Sequence, residues 1–143
     1  MWRMLLLSVV VSLVCLFPAI AQEKIQLIET ETRAVYQTGR LETSLVVKSP
    51  LPSFSATARL EVLDAEDRVL ASAEQPQNIR SGKQTLRIPV DFPLRDSSAL
   101  LWYRLRYLIA PNGNSPQQPI GGIISLSEIM PEVFELRVSA AEN

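Results

Sequence analysis

The chain has 143 residues, with 14 lysines and arginines against 15 aspartates and glutamates, no histidine and a single cysteine. A near-neutral balance supplies no basic surface for phosphate contacts and counterion release, so no nucleic-acid partner is expected. The lack of histidine excludes Ser-His-Asp and Cys-His catalysis and zinc sites built on imidazole, leaving carboxylates, hydroxyls and lysines as the chemical inventory.

Residues 1–21 read as a secretory signal peptide: Arg3 in a short leading segment, an apolar run from Leu5 to Phe17, Pro18, and Ala19-Ile20-Ala21 before Gln22. The apolar run is shorter than the ~20 residues a membrane span requires. Cys15 lies inside that run and not at the cleavage point, which argues against a lipid anchor. The expectation is therefore an exported chain, periplasmic or extracellular in a bacterial envelope, with no membrane insertion after cleavage and no cysteine in the mature part. Such a chain is held together by its core and not by disulfides, and its length suffices for one domain.

From Lys24 onward the pattern is one of period-two strands between turn residues. After "KIQLIE" at Lys24, "LETSLVVKS" places Leu41, Thr43, Leu45 and Val47 on one face and Glu42, Ser44 and Lys48 on the other. "SATARLEVL" turns Ala56, Ala58, Leu60 and Val62 inward and Thr57, Arg59 and Glu61 outward, and "DAEDR" (64–68) then forms a polar hairpin turn into "VLASAE". "QTLRIPVDF" puts Leu86, Ile88 and Val90 on one face, and Pro89 assigns it to a sheet edge because proline donates no ladder hydrogen bond.

"LLWYRLRYLIA" follows as a long central strand, with Leu101, Tyr103, Leu105, Tyr107 and Ile109 inward. Its outward row would be Leu100, Trp102, Arg104, Arg106 and Leu108, where the indole and the guanidiniums can stack by cation–π contact. "GIISLSE" near Ile123 is the seventh strand. No sustained helical periodicity occurs, and "KSPLPS", "DFPL" and "APNGNSPQQP" read as connections. Seven strands between Lys24 and Glu128 predict an all-β, antiparallel immunoglobulin- or fibronectin-like sandwich over residues 22–131. An eighth strand, "FELRVSA" (Phe134–Ala140), lies in residues 132–143 and is either the last edge strand of this sandwich or the first strand of a following domain.

Candidate sites are few. Asp64, Glu66 and Asp67 crowd one turn but lack the further ligands, the turn glycine and the terminal glutamate of a calcium loop. Ser81-Gly82-Lys83 lacks the partners of a serine–lysine dyad or a phosphate loop and reads as a glycine turn. Glu29, Glu31, Asp91, Asp96, Glu128, Glu132 and Glu135 give no reason to pair any two of them as a glycosidase dyad. The possible interaction surface is Trp102, Arg104 and Arg106, since tryptophan and arginine are enriched at interaction hot spots. To it is added Asn112, which with Gly113 turns the longest loop, 110–122, at one end of the sandwich.

"LLWYRLRYLIAPNG" (100–113) followed by "GGIISLSEIMPEVFELRVSA" (121–140) resembles the N-terminal region of bacterial members of the alpha-2-macroglobulin and complement-like family. The resemblance implies a first macroglobulin domain, a seven-stranded fibronectin-like sandwich, with "MPEVFELRVSA" as the hand-over to the next domain. The family's bait region and Cys-Gly-Glu-Gln thioester motif are not present, so no functional residue carries over. The expectation is a non-enzymatic exported structural or interaction module without cofactor or metal, its partner a protein or an adjacent domain. The alternative is an adhesin-like or carbohydrate- or peptide-binding sandwich that uses loop 110–122 or the Trp102 face.

Overall fold

The computed structural model describes residues 24–115 and 117–131; the leader expected over 1–21 and the strand expected over Phe134–Ala140 lie outside the described residues. Among the described residues eight strands run in chain order as β1 (Gln26–Leu27), β2 (Arg33–Gln37), β3 (Arg40–Ser49), β4 (Phe54–Leu63), β5 (Val69–Ile79), β6 (Gly82–Asp91), β7 (Arg104–Pro111) and β8 (Ile120–Ser125). A four-residue helix, α1 (Leu126–Ile129), closes the described chain. Among the described residues no helix is long and apolar enough to cross a membrane.

Two antiparallel sheets face each other. In the first, β3 is central: β6 pairs along its whole length, from Arg40↔Asp91 to Ser49↔Gly82. On its other side β2 takes the first half, from Gln37↔Arg40 to Arg33↔Ser44, and β1 the far end at Leu27↔Val47. The second sheet has the order β5-β4-β7-β8. β6 is thus an edge strand, as Pro89 requires, and Pro76 lies on a second edge strand, β5.

The alternation read along the sequence becomes the core. Leu41, Leu45 and Val47 of β3, Ala56 to Val62 of β4, Leu86 to Val90 of β6 and Leu105 to Ile109 of β7 interdigitate between the sheets. Leu60, Leu105, Ile88 and Ile109 are fully buried, and each contributes about 1.5–3 kcal/mol of transfer free energy. Thr43 is the polar exception. Its hydroxyl is buried in the same row with no hydrogen-bond partner among the described residues.

Three elements differ from the expected ones. The strand expected at Lys24–Glu29 shortens to two residues, the chain spends Glu29–Glu31 in a 3-10 turn, and β2 follows as a strand with no counterpart among the expected seven. β2 then enters β3 through the two-residue loop Thr38-Gly39, whose φ values of 51° and 76° are the left-handed pair that a tight hairpin demands. Second, the long strand expected from Leu100 begins only at Arg104. Residues Ser97–Trp102 form a 3-10 helix whose start is capped by Asp96, with Oδ1 accepting from the Ser98 amide at 2.8 Å. Leu100, expected outward, is buried on this helix. Third, the strand expected through Glu128 stops at Ser125, where α1 takes over and buries Leu126 and Ile129. The loop expected over 110–122 is correspondingly shorter, since Ala110 and Pro111 belong to β7 and Ile120 to Gly122 to β8.

Tyr36 fastens the first sheet to the segment that follows β6. Its hydroxyl donates to the Phe92 carbonyl at 2.8 Å and accepts from the Leu94 amide at 2.9 Å. The Phe92 ring meets Tyr36 and Tyr103 edge-on, with centroids 6.4 and 5.7 Å apart, the arrangement favoured by aromatic quadrupoles.

Candidate functional site

The outer face of the second sheet carries the most developed side-chain cluster. On β4, Arg59 and Glu61 are two residues apart and share the outward face. Register sets Glu61 directly opposite Arg106 of β7, Arg59 opposite Leu108, and Leu108 opposite Gly121 of β8. The Glu61 carboxylate is buried beneath two guanidiniums: Arg106 Nε donates to Oε2 at 2.6 Å, and Arg59 Nη2 lies 2.6 Å from Oε1. Burial alone would push the Glu61 carboxyl up, but the hydrogen bonds and charges of Arg106 and then Arg59 overcome it and hold the group below the usual glutamate range.

Beside this cluster lies a groove of about 400 Å³ bordered by Arg59, Glu61, Arg106, Leu108, Gly121 and Ile123. Leu108 and Ile123 are 42% and 50% exposed, so the groove wall is apolar where it meets β8 and cationic where it meets β4. Gly121 keeps the outer row open, where a Cβ would stand 3.0 Å from the Tyr107 carbonyl oxygen and 3.4 Å from Leu108 Cδ1; on the inner side a Cβ on Gly122, which is opposite Tyr107, would stand 2.8 Å from its hydroxyl oxygen. Burial, with a smaller push from the Glu29 charge, raises the Tyr107 phenol above its ordinary value.

The structure disperses the four residues singled out from the sequence. Trp102 is 73% exposed but ends the 3-10 helix and does not lie on the strand. Arg104 is directed to the β4–β5 turn, with Nη2 2.7 Å from Asp67 Oδ1 and 3.2 Å from the Asp64 carbonyl. Arg106 is committed to Glu61. The arginines therefore meet carboxylates, in place of the indole stacking expected from a shared stripe. Asn112 lies beyond the far end of β7, where its Oδ1 accepts from Thr57 Oγ1 at 2.8 Å and its amide donates to the Ser55 carbonyl. At ~3.3 Å per strand residue, β7 keeps Trp102 and Asn112 more than about 20 Å apart. Only Arg106 belongs to the groove. The residues the sequence did not single out as a site, Arg59, Glu61, Leu108, Gly121 and Ile123, are brought together by pairing register.

The acidic turn is built and not merely solvated. Asp64 is buried; Oδ1 accepts from the amides of Glu66 and Arg68, both at 2.9 Å, and Oδ2 from Arg68 Nε at 2.6 Å. These bonds outweigh burial and keep the Asp64 carboxyl below its usual range. The carboxylate thus shapes the turn, including Asp67 at φ 64°. Gly82, at φ 90°, provides the turn expected at Ser81-Gly82-Lys83.

The architecture is that of an antiparallel immunoglobulin-like β-sandwich. No protein-family model and no curated protein matches the chain. Among solved structures it is similar to a glycosyl hydrolase family 2 member from Bacteroides cellulosilyticus DSM 14838, at 11% identity and a TM-score of 0.48 over 71% of this chain and 15% of that one. A β-glucuronidase from glycoside hydrolase family 2 gives 13% identity and a TM-score of 0.39 over 76% of this chain and 12% of that one. CsgH from R. palustris, solved in solution, gives 12% identity and a TM-score of 0.38 over 73% of this chain and 95% of that one. The chain spans less than a sixth of either hydrolase, and at these identities the likeness is one of fold alone.

Proposed function

We propose that this chain is an exported, non-enzymatic β-sandwich module, macroglobulin-like in kind, that presents the outer face of its four-stranded sheet to a protein partner. One observation carries the reading: Leu108 and Ile123 stay half-exposed beside a groove whose cationic wall is held rigid by the Arg59–Glu61–Arg106 cluster. A pinned pair of arginines next to apolar side chains is the composition of interaction surfaces. The carboxylates with displaced titration, Glu61 and Asp64, are both held ionised by arginine, which suits an architectural role better than general-acid chemistry. The Arg3 to Ala21 leader pattern supports export.

The test places a photoreactive amino acid at Leu108, at Ile123, at Trp102 and, as a control, at exposed Arg87 on β6 of the other sheet, in cells producing the full chain. A discrete adduct with another protein from positions 108 and 123 is expected. Adducts from Trp102 alone would move the surface to the 3-10 helix, and equal labelling at all four positions would overturn the reading. In the same material the mature N-terminus is expected at Gln22; a chain retaining Met1 in the cytoplasm would remove the exported part of the proposal.

A further inference from the structure

Asn112 follows the end of β7, and its bonding is lopsided. Its amide donates to the Ser55 carbonyl at 2.9 Å, and its Oδ1 accepts from Thr57 Oγ1 at 2.8 Å. Among the described residues neither its Nδ2 nor the Gly113 amide has a hydrogen-bond partner. Gly113 sits at φ 68°, a conformation that favours glycine, and a Cβ built there would meet nothing within 4 Å. The turn therefore sets an unscreened backbone nitrogen directly after a carboxamide, in a segment where Asn112, Gly113 and Asn114 are all exposed.

We propose that Asn112-Gly113 is a site of spontaneous deamidation in the folded chain, assisted by the Thr57 hydroxyl. The Gly113 nitrogen gives its proton to hydroxide and bonds to Asn112 Cγ, which closes a five-membered ring. The Cγ–Nδ2 bond breaks, and Nδ2 leaves as ammonia. Water then opens the succinimide: cleavage at Cγ gives aspartate, and cleavage at the main-chain carbonyl carbon gives isoaspartate. One water is taken up and one ammonia released, and nothing is oxidised or reduced.

Thr57 contributes through charge. As the nitrogen attacks, negative charge collects on Oδ1, the atom to which the Thr57 hydroxyl already donates, so that bond strengthens as the barrier is climbed. Register supplies the contact: Thr57 lies opposite Ala110, and alternation returns Asn112 to the same face two residues later. The other two asparagines of the described chain lack this arrangement. Asn78 is paired with Ser55 within the sheet and precedes buried, β-branched Ile79. Asn114 precedes Ser115, and among the described residues no hydroxyl donates to its carboxamide. The isoaspartate product would carry an extra main-chain methylene just beyond the Ser55 anchor, re-aiming the path from β7 to β8. None of this depends on the reading of the groove.

The full chain, kept folded at pH 8 and sampled over days, tests the inference by peptide mass spectrometry. The amide-to-acid mass gain is expected at Asn112 at least fivefold faster than at Asn114, with Asn78 unchanged. It should slow at pH 6, because the attacking nitrogen must lose its proton. Thr57→Val, β-branched like threonine and suited to the strand, should slow the change about fivefold, the factor of a hydrogen bond of ordinary strength. Thr57→Ser keeps the donor and should match the parent. In urea that unfolds the chain, the parent and both variants should coincide. The inference is overturned if the folded chain stays intact at Asn112, if Asn112 and Asn114 change at one rate, or if folded Thr57→Val is no slower than the parent. A gap between the parent and Thr57→Val that persists in urea also overturns it, since the contact no longer exists there.

Discussion

Along β6 the exposed row reads Lys83, Thr85, Arg87, Pro89 and Asp91, whereas along β8 it reads Gly121, Ile123 and Ser125. Both strands border the same core, and among the described residues both pair on one side only. The β6 row is further anchored by ion pairs: Lys83 with Glu31 at 2.7 Å and Arg40 with Asp91 at 2.8 Å. A strand docking onto β6 would have to displace hydrated charges and would meet a missing donor at Pro89; on β8 it meets neither. The contrast teaches that a sandwich does not protect its edges uniformly, and the edge left plain stands next to the outer face that carries the Arg59–Glu61–Arg106 cluster.

The largest expected effect comes from removing what supports the β8 side from beneath. Leu105, fully buried under Arg104 and Arg106, should cost about 2–5 kcal/mol as Leu105→Ala. Urea unfolding measures the loss, and exchange rates should rise on β7 and β8 before β6. Equal loosening of both edges would deny the two sides separate character.

Next is Glu61→Gln, expected to cost about 2 kcal/mol because two arginine hydrogen bonds lose their charged acceptor. It also alters the acid limb. Glu61 and Asp64 titrate below their unfolded values of about 4.3 and 3.9, so the stability they provide is fully present above those values and is lost as pH falls through the lower folded ones. Stability should therefore be level above about pH 5 and fall below about pH 4, less steeply in Glu61→Gln than in the parent. Melts across pH 2–7 decide it.

The smallest effect on the folded monomer is expected from Pro89→Thr, under about 0.5 kcal/mol at an exposed edge. Its signature lies elsewhere: light scattering should show concentration-dependent association that the parent lacks, because β6 would regain a free donor. No change in scattering would mean that the charges alone guard that edge.

Periodicity made the core legible. Leu41, Leu45, Val47, Ala56, Leu60, Leu86, Ile88 and Val90 all point inward as their alternation dictates, and Pro89 marked its edge. What misled was continuity. "LLWYRLRYLI" alternates without a break, yet Asp96-Ser97-Ser98 ahead of it is a helix-start signal, and the local cap captured Leu100 and Trp102 from the strand. β2 escaped because Ala34, Val35 and Tyr36 lie among polar neighbours; the Thr38-Gly39 pair was its visible trace. The groove was the least legible feature, since Arg59, Glu61 and Arg106 were each placed outward correctly but only the register Glu61↔Arg106 joins them. Register between strands 45 residues apart in sequence is not encoded in either strand alone.

The Tyr36 staple has a consequence for how quickly this molecule reaches its native state. The β2–β3 hairpin closes over two residues and can assemble in about 1–10 μs. Its hydroxyl partner on Phe92 is 56 residues away, and the β3–β6 seam at Arg40 and Asp91 spans 51. Chain closure over such distances must precede any reward, so the overall rate belongs to the millisecond-to-second range of sandwich topologies. An early hairpin thus waits, half-built, for the other end of its own sheet to arrive.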